Sequence, residues 1–148
     1  MKELSNFPMS RYKHCYSVGK QMYEQAKKMG YDENFCRDMF VLGNIHDIGY
    51  ELDGSVEGHG TVLSECLKDS YKYSKELRYH SDFQKEYDSI PMRLLYFGDM
   101  TVDGQGNRCT FEERLKDIAI RHGENTEEYR VSKDLALYLR ELGFDDSI

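Results

Sequence analysis

Hydrophobic residues recur every three or four positions along most of this chain, which is the spacing that places them on one face of an α-helix. The first such stretch runs from about Ser10 to Met29 and stops at Gly30, a residue that commonly ends helices. Its inward stripe would contain Arg11, His14, Cys15, Val18, Met22, Ala26 and Met29. The alternating pattern of a β-strand is weak throughout. The sequence therefore predicts an all-α fold.

Six further helices are predicted by the same spacing and by their terminal residues. They run from an N-cap at Asp32 through Ile45, from His59 to Leu67, from about Lys72 to His80, from Pro91 in a first turn through Asp99, from a capping box at Thr110–Glu113 to His122, and from about Thr126 to Leu142. No repeat or proline-rich linker divides the 148 residues, so we expect a single domain spanning 1–148.

Composition narrows the classes of partner. The formal net charge of −7 argues against binding a nucleic-acid polymer. No apolar run approaches the length of a membrane span, and the first residues lack the apolar region of a signal peptide, so we expect a cytoplasmic protein without membrane contact. An oligomer is compatible with the sequence. The four cysteines show no CxxC spacing and are expected to be reduced thiols in or near the core.

Polar residues on apolar faces are the unusual feature. His14 lies on the inward stripe of the first helix, His46 and Asp47 end the second in the stretch GNIHDIGY, and Asp99 lies within a later apolar helix. Buried polar groups need hydrogen-bond partners or a metal, and the spacing alone leaves both interpretations open. Imidazole with carboxylate suits zinc, manganese, iron or cobalt. Adjacent His46 and Asp47 can approach one metal only near a helix end, and Gly49 fits such an end.

These residues resemble the H…HD…D signature of the HD-domain superfamily of metal-dependent phosphohydrolases. The flanking segments are similar too: RYKH, HDIGY, GHGTVLSECL, RYHS and GDMTVDGQGNRCTFEERLKDIAIRHG. The resemblance covers about residues 10–123, with the last predicted helix, about 126–142, following it. Two departures are Gly98 before Asp99, where alanine is usual, and Tyr79 in place of the first histidine of an HHS-like pair.

The resemblance implies a helical bundle holding one or two divalent metal ions, which would be iron, manganese, zinc or cobalt. The ligands would be His14, His46, Asp47 and Asp99 for the first metal, with Asp47 bridging to a second metal bound by His59 and His80. Arg11, one turn before His14, would either contact a substrate phosphate or form a surface ion pair. Asp47 and Arg11 are therefore the expected catalytic residues.

Other polar residues are expected to have ordinary roles. Arg108 and Arg114 are weaker candidates than Arg11 for contacting a substrate phosphate, and surface or capping contacts are the expected role for both. His122 would interact with a helix C-terminus, and the loop 103–107 would be a simple turn. The acidic segment 53–57 and the loop after Asp99 would be solvated loops, with a lid as the alternative. Tyr50 and Tyr79 flank ligand positions and are candidates to line a pocket.

The expected function is hydrolysis of a small phosphate ester or a nucleotide by a metal-activated water. A di-iron oxygenase is the first alternative, because a minority of HD proteins use the same ligands for oxygen chemistry. A non-catalytic metal-binding sensor module is the second, and the complete ligand set argues against it.

Overall fold

The computed structural model describes residues 8–52, 54–55, 58–81 and 87–148. These ranges contain seven α-helices and no strand, so the all-α prediction is confirmed. The helices are α1 (Met9–Lys28), α2 (Glu33–Ile45), α3 (His59–Leu67), α4 (Ser74–Ser81), α5 (Ile90–Met100), α6 (Phe111–His122) and α7 (Glu127–Glu141). Two short 3₁₀ helices, Ile48–Glu51 and Lys68–Ser70, flank α3.

The helix termini follow the predicted chemistry closely. The Asp32 side chain accepts a hydrogen bond from the Phe35 amide at 2.8 Å and caps α2. Thr110 and Glu113 form the reciprocal capping box that opens α6. Several boundaries differ from the predicted ones by a residue, and the largest difference is that α4 begins at Ser74 rather than Lys72. Residues 71–73 form a turn instead, in which the Ser74 amide bonds to the Tyr71 carbonyl.

Helix α5 lies at the centre of the bundle, in contact with α1, α2, α4 and α7. Leu94 and Phe97 are fully buried as well as Met92 and Leu95, because neighbours surround this helix. Met29 was expected to point inward and is instead 41% exposed, since it follows the last residue of α1.

The cysteines are all free, and three of them, Cys15, Cys36 and Cys109, are buried as expected. The expectation is wrong for Cys66, which is exposed near the end of α3.

The short connection between α1 and α2 makes them a helical hairpin. The bundle packs so that the start of α1, the ends of α2, α4 and α5 and the start of α3 meet in one region.

Candidate metal centre

Six side chains converge where those helix ends meet. They are His14 of α1, His46 and Asp47 directly after α2, His59 at the start of α3, His80 of α4 and Asp99 of α5. Helix α2 ends at Ile45, so His46 and Asp47 do lie at a helix end, where both can face one point. A side chain at Gly49 would collide with the carbonyl of His59, so glycine there allows α3 to approach the His46–Asp47 corner.

Asp47 lies at the centre of the cluster. Its Oδ1 is 3.1 Å from His59 Nε2 and 3.4 Å from His80 Nε2. Its Oδ2 is 3.3 Å from His46 Nε2 and 3.8 Å from His14 Nε2. The two oxygens of one carboxylate therefore face two different pairs of imidazoles.

Asp99 adds a second carboxylate on one side of Asp47. Its Oδ1 lies 2.8 Å from His14 Nε2 and 3.7 Å from His46 Nε2. The cluster thus divides into two groups that could each hold a metal ion: His14, His46 and Asp99 in one, and Asp47, His59 and His80 in the other.

All four histidines are oriented by a hydrogen bond from Nδ1 to a backbone carbonyl. The acceptors are Asp103 O for His14 at 2.9 Å, Gly43 O for His46 at 2.6 Å, Ser55 O for His59 at 3.2 Å and Leu77 O for His80 at 2.5 Å. A carbonyl oxygen only accepts, so each Nδ1 carries the proton. In a neutral ring Nε2 then presents a lone pair to the centre, which is the form that binds metals.

The closest pair of these atoms is the Nε2 of His59 and the Nε2 of His80, which lie 2.8 Å apart. Two nitrogen lone pairs at that distance, beside the Asp47 carboxylate, repel one another unless a proton or a metal ion lies between them. His46 Nε2 presents a related case: it is completely buried and makes no hydrogen bond with any described residue. The donor set therefore fits a divalent cation.

The charges of the cluster follow from its burial and its contacts. Burial raises the pKa of Asp47, but the surrounding His46, His59 and His80 side chains lower that pKa well below its ordinary value. Burial likewise opposes ionisation of Asp99, whose pKa is held well below its ordinary value by His14 and His46. Burial lowers the pKa of His80 and keeps its imidazole neutral. Both carboxylates are therefore anionic.

Cys15 is a candidate ligand that the sequence did not indicate. Its thiol sulfur lies with His46 and Asp47 in a third group whose potential ligand atoms are all within 4.8 Å of one another. Burial raises the pKa of this thiol, so it is neutral in the metal-free protein. Cys15 lies close to His46 and Asp47 because it directly follows His14 on the buried face of α1.

Arg114 was expected at the surface or in a cap, and this expectation is wrong. Its side chain is only 12% exposed and its Nη2 lies 3.4 Å from Asp99 Oδ1. Its Nε also donates to the Asp99 carbonyl at 3.0 Å. Leu115 and Ile118 give α6 its inward register, but nothing in the sequence showed which helix α6 would face.

Arg108 makes a contact of the expected surface or capping kind, since its guanidinium donates to the carbonyls of Asp146 and Ser147.

Arg11 and Tyr50 lie on the other side of the cluster. The Tyr50 ring stacks on His59 with centroids 3.8 Å apart, and the Arg11 guanidinium lies 3.7 Å from the centroid of the same ring. Burial raises the pKa of the Tyr50 phenol. A direct contact between Arg11 and a substrate phosphate stays a prediction.

A cavity of about 390 Å³ opens over the cluster, a size within the usual range for small-molecule sites. Asp47, His59, His80 and Asp99 line one side, and α6 and α7 line the other with Ile118, His122, Glu127, Glu128, Val131 and Leu135. His122, the last residue of α6, therefore lines the cavity, although the sequence predicted for it only an interaction with the helix C-terminus. Tyr50 lines the cavity, whereas the ring of Tyr79 packs against Tyr87 in a tilted arrangement with centroids 4.8 Å apart.

The two candidate lid segments differ in what the structure shows. Asp53, Val56 and Glu57 lie outside the described residues. The loop 103–107 is a turn, as expected, in which the Gly106 amide bonds to the Asp103 carbonyl at 3.0 Å. It is attached to α1 through the Ser17 hydroxyl and the Gly106 carbonyl, 2.7 Å apart.

Comparisons with known proteins gave no relative: no protein-family model, no curated protein and no solved structure matched the chain. The resemblance to the HD-domain superfamily thus depends on the sequence motifs quoted above. Within the described residues, no helix combines the length and the apolar character needed to cross a membrane.

Proposed function

We propose that this chain is a metal-dependent phosphohydrolase of the HD-domain superfamily that acts on a small phosphate ester or a nucleotide. The observation that carries the proposal is the arrangement around Asp47. Four imidazole Nε2 atoms, each with its Nδ1 bonded to a backbone carbonyl, converge on the oxygens of Asp47 and Asp99. This mixed nitrogen and oxygen set suits manganese, iron, zinc or cobalt and is unlike a calcium site.

His14, His46 and Asp99 would hold one ion, and His59 and His80 would hold a second, with Asp47 placed to serve both. Divalent ions bound there would supply Lewis acidity toward a phosphoryl oxygen and lower the pKa of water to near neutrality. With two such ions, the two anionic carboxylates would leave a net charge of about +2, which favours a phosphate dianion over a neutral substrate.

The remaining cavity residues would bind and orient the substrate. Arg114 places a guanidinium on the cavity wall beside Asp99. Ile118, Val131 and Leu135 form an apolar part of the opposite wall, which would contact the organic group of an ester and exclude water from it. Arg11 is the further candidate for contacting the phosphate, from its position on the Tyr50 ring.

The proposal is tested by assaying phosphate release from p-nitrophenyl phosphate and a panel of nucleoside monophosphates. Metal-free protein would be supplied with manganese or cobalt under nitrogen. We expect metal-dependent hydrolysis that falls by at least about 100-fold in Asp47→Asn, since even residues that only orient metal ligands contribute 10- to 100-fold. Asp134→Asn, an exposed position on α7, is the matched control and should retain full activity.

Three results would contradict the proposal. Hydrolysis that does not depend on metal, or that survives in Asp47→Asn, would show that the cluster is not the active site. Activity that requires iron and consumes oxygen, with no hydrolysis under nitrogen, would instead assign the cluster to an HD-type di-iron oxygenase. Metal binding without either activity would assign it to a non-catalytic sensor module.

A further inference from the structure

Asp117 of α6 lies behind the metal-facing side chains and contacts none of the six candidate ligands directly. Its Oδ2 accepts two hydrogen bonds, one from the Gly104 amide at 3.0 Å and one from Arg114 Nη1 at 2.8 Å. Its Oδ1 faces Arg121 Nε at 3.1 Å, toward the outside of the protein. The two oxygens of this carboxylate therefore have different partners.

The first contact of Oδ2 leads to His14 through a single peptide group. The Gly104 N–H that bonds to Asp117 and the Asp103 C=O that accepts the His14 Nδ1 proton at 2.9 Å belong to the same peptide unit. A negative charge on the N–H side of a peptide polarises it and makes its carbonyl a stronger acceptor. A stronger acceptor at Nδ1 makes His14 Nε2 a better metal ligand.

The second contact of Oδ2 leads to Asp99. Arg114 bonds to Asp117 with Nη1, to the Asp99 carbonyl with Nε at 3.0 Å, and approaches Asp99 Oδ1 with Nη2 at 3.4 Å. Asp117 thereby fixes the guanidinium that holds the Asp99 carboxylate. Since Asp99 Oδ1 and His14 Nε2 lie 2.8 Å apart, the contacts close into a ring.

We propose that Asp117 is a positioning residue for the metal group formed by His14, His46 and Asp99, acting on His14 through the Asp103–Gly104 peptide and on Asp99 through Arg114. The inference rests on the proposed metal site. The effect of Asp117 should be limited to this group. His59 and His80 of the other group are oriented by the carbonyls of Ser55 and Leu77, which no described contact connects to Asp117.

The test is calorimetric titration of metal-free protein with manganese alone. Asp117→Asn keeps the size of the side chain and removes its charge. The matched control is Arg121→Gln, which removes the outer partner of the same carboxylate and leaves the Gly104 and Arg114 donors to Oδ2 in place. We expect Asp117→Asn to weaken binding at one group by 10- to 100-fold, in the range known for residues that orient metal ligands. Arg121→Gln should bind manganese as the wild type does.

The affected group is identified in a His59→Ala background, where only the group containing His14 should bind. Adding Asp117→Asn to that background should weaken the remaining site by the same factor, whereas adding it to His14→Ala should change nothing further. Melting temperatures measured beside the titrations would show that a loss of affinity is not a loss of folding. If Asp117→Asn does not fold, Arg114→Gln, which breaks the connection to Asp99 alone, should lower the affinity of the same group.

Unchanged affinity in the folded variants, an equal loss at both groups, or the same loss in Arg121→Gln would overturn the role of Asp117. These results differ from a failure of the proposed function. If the wild-type protein binds no manganese, both the metal site and the role of Asp117 are wrong. If it binds manganese but hydrolyses no phosphate ester, the positioning role is still decided by the titrations.

Discussion

Gly43 of α2 packs directly against Gly19 of α1. A Cβ atom on Gly43 would lie 2.5 Å from the Cα of Gly19 and 3.0 Å from the Met22 sulfur, so the two helix backbones touch at this level. On α1, Gly19 follows His14 of the candidate metal centre by about 1.4 helical turns. The contact brings the rings of His14 and His46 to a centroid separation of 5.4 Å.

Gly43→Ala should therefore destabilise the protein although alanine is the better helix former. Overpacking typically costs about 1–3 kcal/mol, which exceeds the roughly 1 kcal/mol gained from helix propensity. Urea denaturation should show a lower midpoint with an unchanged slope. Lys20→Ala, on the exposed side of α1, serves as the control and should stay within about 0.5 kcal/mol of the wild type. A stabilised Gly43→Ala would contradict the close approach of the helices.

Divalent metal should stabilise the folded chain, because the ligands converge only in the folded state. At a free concentration 100 times the dissociation constant, binding stabilises by about 2.7 kcal/mol per site. Differential scanning fluorimetry with manganese should thus show a raised melting temperature that a chelator reverses. His80→Ala should show a smaller rise and Asp47→Ala almost none. An equal rise in all three proteins would indicate binding elsewhere.

The metal-free protein should lose stability as the pH rises above neutrality. Burial disfavours a charged His46, but the Asp47 carboxylate and its other neighbours raise the pKa of His46 well above its ordinary value. The proton on folded His46 is therefore stabilising below the unfolded pKa of about 6.5, and that stability is lost as the pH rises through the folded pKa.

A metal ion bound at His46 would replace this proton, so metal affinity should increase as the pH rises. The stability that metal adds to the folded protein should therefore increase with pH, opposite to the trend of the metal-free protein. Melting curves with chelator and with manganese, from pH 6 to pH 9, would test both trends. The His46→Gln variant should lack this alkaline loss of stability in the metal-free state. A metal-free melting temperature that is independent of pH would contradict the assignment of the proton to His46.

Tyr50 should act through its ring rather than its hydroxyl. The ring lies between His59 and the Arg11 guanidinium, and a partly buried cation–π contact contributes about 0.5–2 kcal/mol. Tyr50→Phe should leave manganese binding unchanged, whereas Tyr50→Leu should weaken the group containing His59 by about tenfold. Isothermal titration calorimetry of both variants with manganese would distinguish a role of the ring from a role of the hydroxyl. Weaker binding in Tyr50→Phe would assign the role to the hydroxyl.

The helices were predictable because each depends on local spacing and terminal residues, as with the Asp32 cap and the Thr110–Glu113 capping box. The convergence of histidines on helices distant in sequence was expected only from the family resemblance. Periodicity placed His14 and Asp99 on inward faces but did not show that those faces meet. The burial of α5 on all sides was not predictable from spacing, because it depends on how many neighbours surround a helix.

Asp117 and Cys15 were missed, and Arg114 was given a surface or capping role, for a related reason. Arginine and aspartate one turn apart on a helix are typical of a surface ion pair, and only the packing of α6 against Asp99 changes that interpretation. The sequence of the 103–107 loop predicted a turn correctly. It did not show that the carbonyl of Asp103 would orient His14, because a backbone acceptor leaves no sign in residue type.

The most direct test of the metal centre is the metal content per chain after purification without added metal and without oxygen, measured by elemental mass spectrometry. We predict two equivalents of a transition metal in the wild-type protein. We predict about one in His59→Ala and almost none in Asp47→Ala, whose carboxylate faces both groups. A folded wild-type protein that contains no metal and takes up none when manganese, iron, cobalt or zinc is supplied would contradict the central claim.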